Sequence, residues 1–255
     1  IEDLVDLSKN VNNGNSYKGK NVQLEKTLDF NEDSSYKNPE DTSYGDLNKD
    51  GTTEGIKAEL TNTEGCGFTP IGNDSKPFSG TFDGQGNEIR NLYINTTNIY
   101  AGLFGYVENG KIENLGITGG VSSSSNTNNS IYAGGIAGYI TFSGINNCYN
   151  IGQVSSSSNS TGYNCSSSGG IVAYVSDGSS INNCYNTGEV SSSNNNESCA
   201  GGIAGQVSDI KISNCYNTGD ISSSGGNVGY AGGIAGRASD ISTTNCYYLN
   251  TITIK

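Results

Sequence analysis

The sequence predicts an all-β protein, a right-handed parallel β-helix with a short N-terminal capping helix. Three observations lead to this prediction: a repeated segment, short strand-like apolar runs inside it, and glycine, serine and asparagine between the runs. Residues 133–158 read AGGIAGYITFSGINNCYNIGQVSSSS, and similar segments start at Ser168, at Ala200 and, shortened, at Ala231. A fainter copy starts at Ala101.

The repeat has a period of 31 to 35 residues, measured at the small residue that closes each GGIAG-type step: Gly105, Gly138, Ala173, Gly205 and Gly236. Periods of this size are typical of solenoids, propellers and arrays. Within one unit the apolar runs lie at 136–140, at 145–148 and at Val154, and each is too short for a helix. We therefore expect three short strands per unit, joined by turns, with the units stacked in register.

Stacking in register places equivalent residues about 4.8 Å apart, so that each position forms a column along the solenoid. One column is predicted to be an amide ladder of Asn147, Asn183, Asn214 and Asn245. The next column holds Cys148, Cys184, Cys215 and Cys246. Because Leu92 and Leu115 occupy the equivalent positions in earlier units, we expect these cysteines to face the core as buried thiols.

The GGIAG and AGLFG steps, each followed by an NCYNxG-type segment or its faint copy, resemble GLUG-motif repeats. The run GFTPIGNDSKPFSGTFDGQGNEIRNLYI, residues 67–94, resembles the segment that often precedes such repeats. GLUG repeats are found in bacterial secreted and surface proteins, including the non-catalytic parts of IgA-specific metallopeptidases. The resemblance covers roughly residues 66–250, and it implies a fold and a surface location but no reaction.

The first 21 residues are predicted to be a helical cap, since Leu4, Val5, Leu7 and Val11 form an apolar stripe at helical spacing. A cap of this kind covers the open end of a solenoid. Residues 22–255 are predicted to be the β-helix, with an acidic insertion at 31–65 and GLUG-type repeats from about 99 to 250.

The acidic insertion contains a candidate calcium loop, in which Asp46, Asn48, Asp50 and Gly51 match the pattern D-x-N-x-D-G. Alternate oxygen side chains converge on one hard cation, and the glycine permits the sharp bend. Thr52 can add its carbonyl oxygen and Glu54 a carboxylate, so the candidate ligands are Asp46, Asn48, Asp50, Thr52 and Glu54, and the candidate cofactor is calcium. Lys57 stands where the closing bidentate acid is expected, and a solvated acidic turn is the alternative.

The composition restricts the partners. A net charge of −12 argues against nucleic acid and anionic membranes, which both need basic patches. No run of eighteen apolar residues is present, so we expect no membrane insertion. The chain has no histidine, which excludes His-based triads and the H-E-x-x-H zinc site of the IgA peptidases.

Two further features leave alternatives open. Cys165 and Cys199 precede the glycine pair of consecutive units, so a disulfide between them is one option, although connectivity cannot be read from a sequence. An outward aromatic column is predicted at Tyr149, Tyr185, Tyr216 and Tyr247. Such a column can stack on sugars, but rings about 4.8 Å apart mainly cover one another, which favours a structural ladder.

The serine and asparagine tracts at 122–130, 155–168, 191–198 and 222–227 are interpreted as connectors of variable length on one side of the stack. They are either a binding face or solvated turns.

Together these features predict a non-catalytic bacterial module, secreted or at the cell surface. We expect it to be a monomer that binds glycans or host or cell-surface proteins. The alternatives are a passive stalk within a larger surface protein and a β-helix enzyme acting on polysaccharides. For the enzyme, neighbouring acids such as Glu189 and Asp220 would have to act in a cleft of which the sequence gives no sign.

Overall fold

The computed structural model describes residues 1–30, 66–126, 129–159, 164–249 and 252–254. Within these ranges, parallel strands stack as a β-solenoid of about five turns, preceded by a single short helix. The predicted fold class is therefore confirmed.

The helix α1 spans Glu2–Asn12 and buries the predicted apolar stripe together with Ser8. The Ser8 hydroxyl donates to the carbonyl of Thr69 at 2.8 Å, and the Asn12 amide donates to the carbonyl of Pro70 at 3.0 Å. These bonds fix the helix against the chain that leads into the solenoid.

The strands follow in chain order. Those before the first complete repeat are β1 (Asn21–Gln23), β2 (Leu28–Asp29), β3 (Cys66–Gly67), β4 (Thr81–Asp83), β5 (Glu88–Thr96), β6 (Tyr100–Ala101), β7 (Phe104–Glu108), β8 (Lys111–Glu113) and β9 (Gly116–Ser125). The next are β10 (Ile131–Gly134), β11 (Ala137–Thr141), β12 (Gly144–Asn146), β13 (Tyr149–Asn150), β14 (Gln153–Ser158), β15 (Cys165–Gly169), β16 (Val172–Ser176), β17 (Ser180–Asn182), β18 (Tyr185–Asn186) and β19 (Val190–Asn194). The last are β20 (Glu197–Gly201), β21 (Ala204–Ser213), β22 (Tyr216–Asn217), β23 (Ile221–Gly225), β24 (Val228–Gly232), β25 (Ala235–Thr244), β26 (Tyr247–Tyr248) and β27 (Ile252–Ile254).

Among the described strands, three sheets run along the solenoid. A ten-stranded sheet joins β7, β11, β16, β21 and β25 with β1, β4, β8, β12 and β17. A five-stranded sheet contains β6, β10, β15, β20 and β24, and a twelve-stranded sheet contains the others. The pairings are parallel and in register, for example Ile145 with Ile181 and Tyr149 with Tyr185, whereas β3 pairs with β5 antiparallel.

The expectation of three strands per unit is wrong, because a unit such as 131–158 contains five strands, β10 to β14. The serine tracts, interpreted above as connectors, supply most of the difference: they form the end of β9 and much of β14, β15, β19, β20 and β23. Alternate serines of β9, β14, β19 and β23 and all three serines of β15 are buried, so the tracts are structural walls of the solenoid.

A layer of buried serines lies between the twelve-stranded and the five-stranded sheets. The Ser168 hydroxyl donates to that of Ser156 at 2.8 Å, and the Ser192 hydroxyl donates to the carbonyl of Ser166 at 2.8 Å. Within the described ranges, every buried side-chain nitrogen and oxygen has a hydrogen-bond partner. The layer is therefore stable without apolar side chains, because no buried polar group there pays an uncompensated desolvation cost.

The cysteine column is buried as expected: Cys148, Cys184 and Cys215 are at most 1% exposed and are free thiols. Cys246, in the last turn, is half-buried. Burial raises the pKa of the Cys184 thiol well above its ordinary value. These thiols act as small core residues, in line with Leu115 in the same column.

The predicted asparagine ladder is confirmed from Asn183 to Asn245, while Asn147 bonds to Asn114 of the preceding turn. The amide of Asn147 donates to Asn114 at 3.1 Å, that of Asn214 to Asn183 at 3.0 Å, and that of Asn245 to Asn214 at 3.2 Å. Each of these asparagines has a φ of 51 to 54°, a left-handed conformation that asparagine tolerates better than most residues.

A second, buried asparagine ladder was not predicted. Asn150 donates to Asn186, and Asn186 to Asn217, at 2.8 Å each, and each amide also donates to the carbonyl of the glycine two residues later at 2.7 or 2.8 Å. The alternation of side chains along a strand contained the signal, because the second asparagine of NCYN lies two residues after the buried cysteine.

We expect Asn186→Ala to lower the free energy of unfolding by about 3 kcal/mol, because it removes three buried hydrogen bonds: those to the side chains of Asn150 and Asn217 and that to the carbonyl of Gly188. The matched control is Asn183→Gly on the exposed ladder, where glycine accepts the positive φ and the loss should stay below about 1 kcal/mol. Urea denaturation measures both, and equal losses would contradict the assignment of the buried ladder.

Gly202 illustrates how closely the turns approach. A Cβ atom added there would lie 2.2 Å from the carbonyl oxygen of Gly233 and 2.4 Å from Cγ of Asn217. We expect Gly202→Ala to cost roughly 2–3 kcal/mol or more, because backbone must move to make room. Gly120→Ala is the control, since a Cβ there meets nothing within 4 Å, and its melting temperature should match the parent's. A Gly202→Ala protein as stable as Gly120→Ala would refute the packing argument.

Candidate binding surface

The predicted calcium ligands Asp46, Asn48, Asp50, Thr52 and Glu54 lie outside the described residues. The calcium loop therefore stays a prediction.

The predicted tyrosine column forms a stack of parallel rings. The ring centroids of Tyr149 and Tyr185 are 4.8 Å apart at an interplanar angle of 6°, and those of Tyr185 and Tyr216 are 4.9 Å apart at 4°. Tyr247 continues the column in register with Tyr216 and is 68% exposed. The Tyr149 hydroxyl donates to Glu88, and burial together with this hydrogen bond raises the pKa of the phenol. The rings thus cover one another's faces, and a sugar meets mainly ring edges and hydroxyls.

A second tyrosine cluster, not predicted, fills the angle between the outer faces of the five-stranded and ten-stranded sheets. Tyr106 stacks on Tyr139 at 4.6 Å, and Tyr139 stacks on Tyr174 at 4.8 Å. Tyr100 and Tyr132 contact these rings edge-on. Burial raises the pKa of Tyr100 and of Tyr132 to about 12, so these phenols stay neutral at physiological pH. Mutual packing gives this cluster a structural role.

The acids that follow the GGIAG segment adopt a left-handed backbone conformation, with Asp177 on a turn and Asp209 within β21. Asp177 and Asp209 have φ values of 54° and 51°, and the Asp177 carboxylate accepts hydrogen bonds from Thr141 at 3.0 Å and Ser176 at 2.7 Å. Hydrogen bonding to neighbouring hydroxyls stabilises the charge of Asp177 in this column.

The outer face of the serine strands forms an open groove. The volume of this groove is about 240 Å³, and its lining is entirely serine. Its outward-facing residues are Ser155, Ser157, Ser191, Ser193, Ser222 and Ser224, whereas Ser156, Ser192 and Ser223 between them are buried. Strand register aligns Ser155, Ser191 and Ser222 in one column, and Ser157, Ser193 and Ser224 in the next. The Ser193 hydroxyl donates to that of Ser157 at 3.1 Å. The groove is a regular lattice of partly exposed hydroxyl groups.

Cys165 and Cys199 come together beside the second tyrosine cluster. Their sulfur atoms are 3.3 Å apart, and both residues are free thiols. The sequence left a disulfide between these residues open, and the structure shows two neighbouring free thiols.

Comparison with known proteins gives a family motif and a fold. The GLUG motif matches residues 196–222. This match agrees with the predicted resemblance, and GLUG is a non-catalytic repeat. The matched segment covers β20 to the start of β23 and contains the second asparagine ladder at Asn217.

Two individual proteins are similar to this chain. One, described as a candidate Gly-rich membrane protein of Evansella cellulosilytica, is 44% identical over 57 residues, which are 22% of this chain and 7% of that protein. The other is a crystal structure described as a candidate immunoglobulin A1 protease from Bacteroides ovatus, with a TM-score of 0.53, 21% identity, and coverage of 96% of this chain and 74% of that one. The chain thus spans only a small part of its sequence relative, and the structural likeness concerns the fold.

Among the described residues, no helix has the length and apolar character needed to cross a bilayer.

Proposed function

We propose that this chain is a non-catalytic module of an exported bacterial protein, displayed at the cell surface, and that its serine groove binds neutral glycans. The observation that carries the proposal is the lattice of outward-facing hydroxyls along β14, β19 and β23. The GLUG motif and the relatives support the surface location, because one relative is described as a membrane protein and the other as an IgA1 protease.

The spacing of the lattice suits an extended polymer of hydroxyl-bearing units. Hydroxyls repeat about every 4.8 Å along the solenoid axis and about every 6.6 Å along each strand. A serine hydroxyl both donates and accepts, so it can pair with any sugar hydroxyl. Because the groove is open and continuous over three turns, it favours a chain of sugars over a single small molecule.

The charge and polarity of the surface favour a neutral ligand. The net charge of −12 opposes binding of anionic polymers. The groove contains no aromatic or large apolar side chain among its lining residues, whereas the buried centre of a protein–protein interface is usually rich in them.

The passive stalk is the second candidate function. Its support is that the tyrosines stack on one another and the asparagines hydrogen-bond to one another along the axis. A rod built in this way keeps its shape without any ligand. Binding experiments on the serine groove separate the two functions.

We expect the purified chain to bind at least one class of neutral polysaccharide on a glycan array. The triple variant S157A/S193A/S224A should bind at least about 10-fold more weakly, because several hydrogen bonds worth about 1 kcal/mol each are lost. The control is S208A/S239A, which removes outward hydroxyls from the ten-stranded sheet and should bind like the parent. An array without any signal, or equal weakening by both variants, would reject glycan binding at the groove and favour the stalk.

Calcium binding by Asp46, Asn48, Asp50, Thr52 and Glu54 is a separate part of the proposal. We expect calcium at about 100 times its dissociation constant to raise the melting temperature by roughly 5 °C relative to chelator. The variant D46A/D50A should lose this rise, because the first and fifth loop positions supply two of the carboxylates. An unchanged melting temperature of the parent in calcium would contradict the loop assignment.

A further inference from the structure

The outer angle between the five-stranded and ten-stranded sheets contains residues whose chemistry changes from turn to turn. In the outer angle between the five-stranded and ten-stranded sheets, the early turns contain tyrosines, as described above. Strand register places Ser167 and then Cys199 in line with Tyr132, and it places Gln206 and then Arg237 in line with Tyr174. The later turns therefore fill the same angle with sulfur, amide and charged groups. In the earlier turns, stacked tyrosines fill it.

Three potential metal ligands meet there. Cys165 pairs with Glu197 across β15 and β20, and Cys199 follows two residues later, so all three side chains point to the same face. The sulfurs are 3.3 Å apart, and Sγ of Cys199 is 3.8 Å from Oε1 of Glu197. One ligand atom from each residue lies within 4.8 Å of the others.

A second layer of polar groups holds these ligands. Gln206 is 7% exposed, and its Nε2 donates to Sγ of Cys165 at 3.0 Å and to Sγ of Cys199 at 3.2 Å. Arg237 donates to the Glu197 carboxylate and lies over the ring of Tyr230, with 5.6 Å from Cζ to the ring centroid. Donors that orient sulfur and carboxylate ligands are typical of the outer shell of metal sites.

We propose that Cys165, Cys199 and Glu197 bind one thiophilic divalent cation such as zinc. Zinc–sulfur bonds of about 2.3 Å at tetrahedral angles place two sulfurs about 3.8 Å apart, so the two thiols need to separate by about 0.5 Å. Both thiol protons pass to solvent on binding. Two thiolates and a carboxylate then carry −3, which the cation and Arg237 balance.

The hydrogen bond with Cys199, burial and the nearby charge of Glu197 raise the pKa of the Cys165 thiol. The Glu197 side chain is 24% exposed, so a water molecule or an external ligand could reach a cation bound beside it.

A disulfide is the competing use of the same pair. It would join the sulfurs at about 2.0 Å. It would leave Glu197 paired with Arg237 alone, whereas in the metal site Glu197 is a ligand and Gln206 donates to both ligand sulfurs, and this difference favours the cation.

The test is a cobalt(II) titration of the reduced, chelator-treated protein without oxygen, followed by displacement with zinc. We expect one equivalent of cobalt to give the absorption band of thiolate-to-metal charge transfer, and zinc to abolish it. An oxygen-only site such as the calcium loop gives no such band, so the two sites are distinguishable.

Variants locate the site. C165S and C199S should each lose the band or weaken binding more than about 100-fold, while Gln206→Leu, which acts through the sulfurs, should weaken it about 10- to 100-fold. C199S has a precedent in the fold, because Ser167 occupies the equivalent position one turn earlier. The matched control is Cys148→Leu, which removes a core thiol, copies Leu115 and should bind cobalt normally.

Three results would overturn the proposal. The first is a charge-transfer band that persists in C165S/C199S. The second is the absence of any band from reduced, folded protein. The third is a purified protein in which Cys165 and Cys199 are oxidised to a disulfide and, after reduction, still bind neither cobalt nor zinc.

Discussion

The parallel, in-register stacking of turns is the constraint on which the rest of this structure depends. Each main-chain hydrogen bond between turns places a residue about one strand spacing from its equivalent in the next turn. Where the repeat keeps the same residue, its side chain must therefore pack against an identical side chain in the next turn. Asparagine meets this condition through amide ladders, tyrosine through ring stacking and cysteine through small size. Among the repeated acids, Asp177 meets it through hydrogen bonds from neighbouring hydroxyls.

Stacking also explains how a chain with only 33% hydrophobic residues can form a solenoid. Its apolar core is narrow, and a hydrogen-bonded serine layer extends it to the five-stranded sheet. Serine is small enough for two sheets to approach closely, and its hydroxyl can bond to a main-chain carbonyl or to another hydroxyl. Such an interior depends on geometry more than an apolar one does, because one missing partner leaves a buried polar group unsatisfied.

Period, columns and fold class could be predicted from the sequence because they depend on repetition, which a single sequence displays directly. The buried cysteines could be predicted because Leu115 marked their column. The serine tracts were misinterpreted because polarity normally indicates solvent, and only the facing strand shows that Ser166 and Ser192 have partners. The meeting of Cys165, Glu197 and Cys199 with Gln206 depends on the angle between two sheets, which no local pattern encodes.

In a solenoid, function is best sought where a column changes character, because the repeat itself accounts for the positions that do not change. The stacked tyrosines at Tyr149, Tyr185 and Tyr216 and the asparagine ladders follow the repeat and need no ligand to explain them. The outer angle instead changes from Tyr174 to Gln206 and Arg237 within two turns. The serine lattice is an intermediate case: its inward hydroxyls serve the fold, while its outward hydroxyls repeat without a core to fill. The repeat therefore explains the outward serine rows less completely than it explains the ladders. It explains the cluster of Cys165, Glu197 and Cys199 least of all.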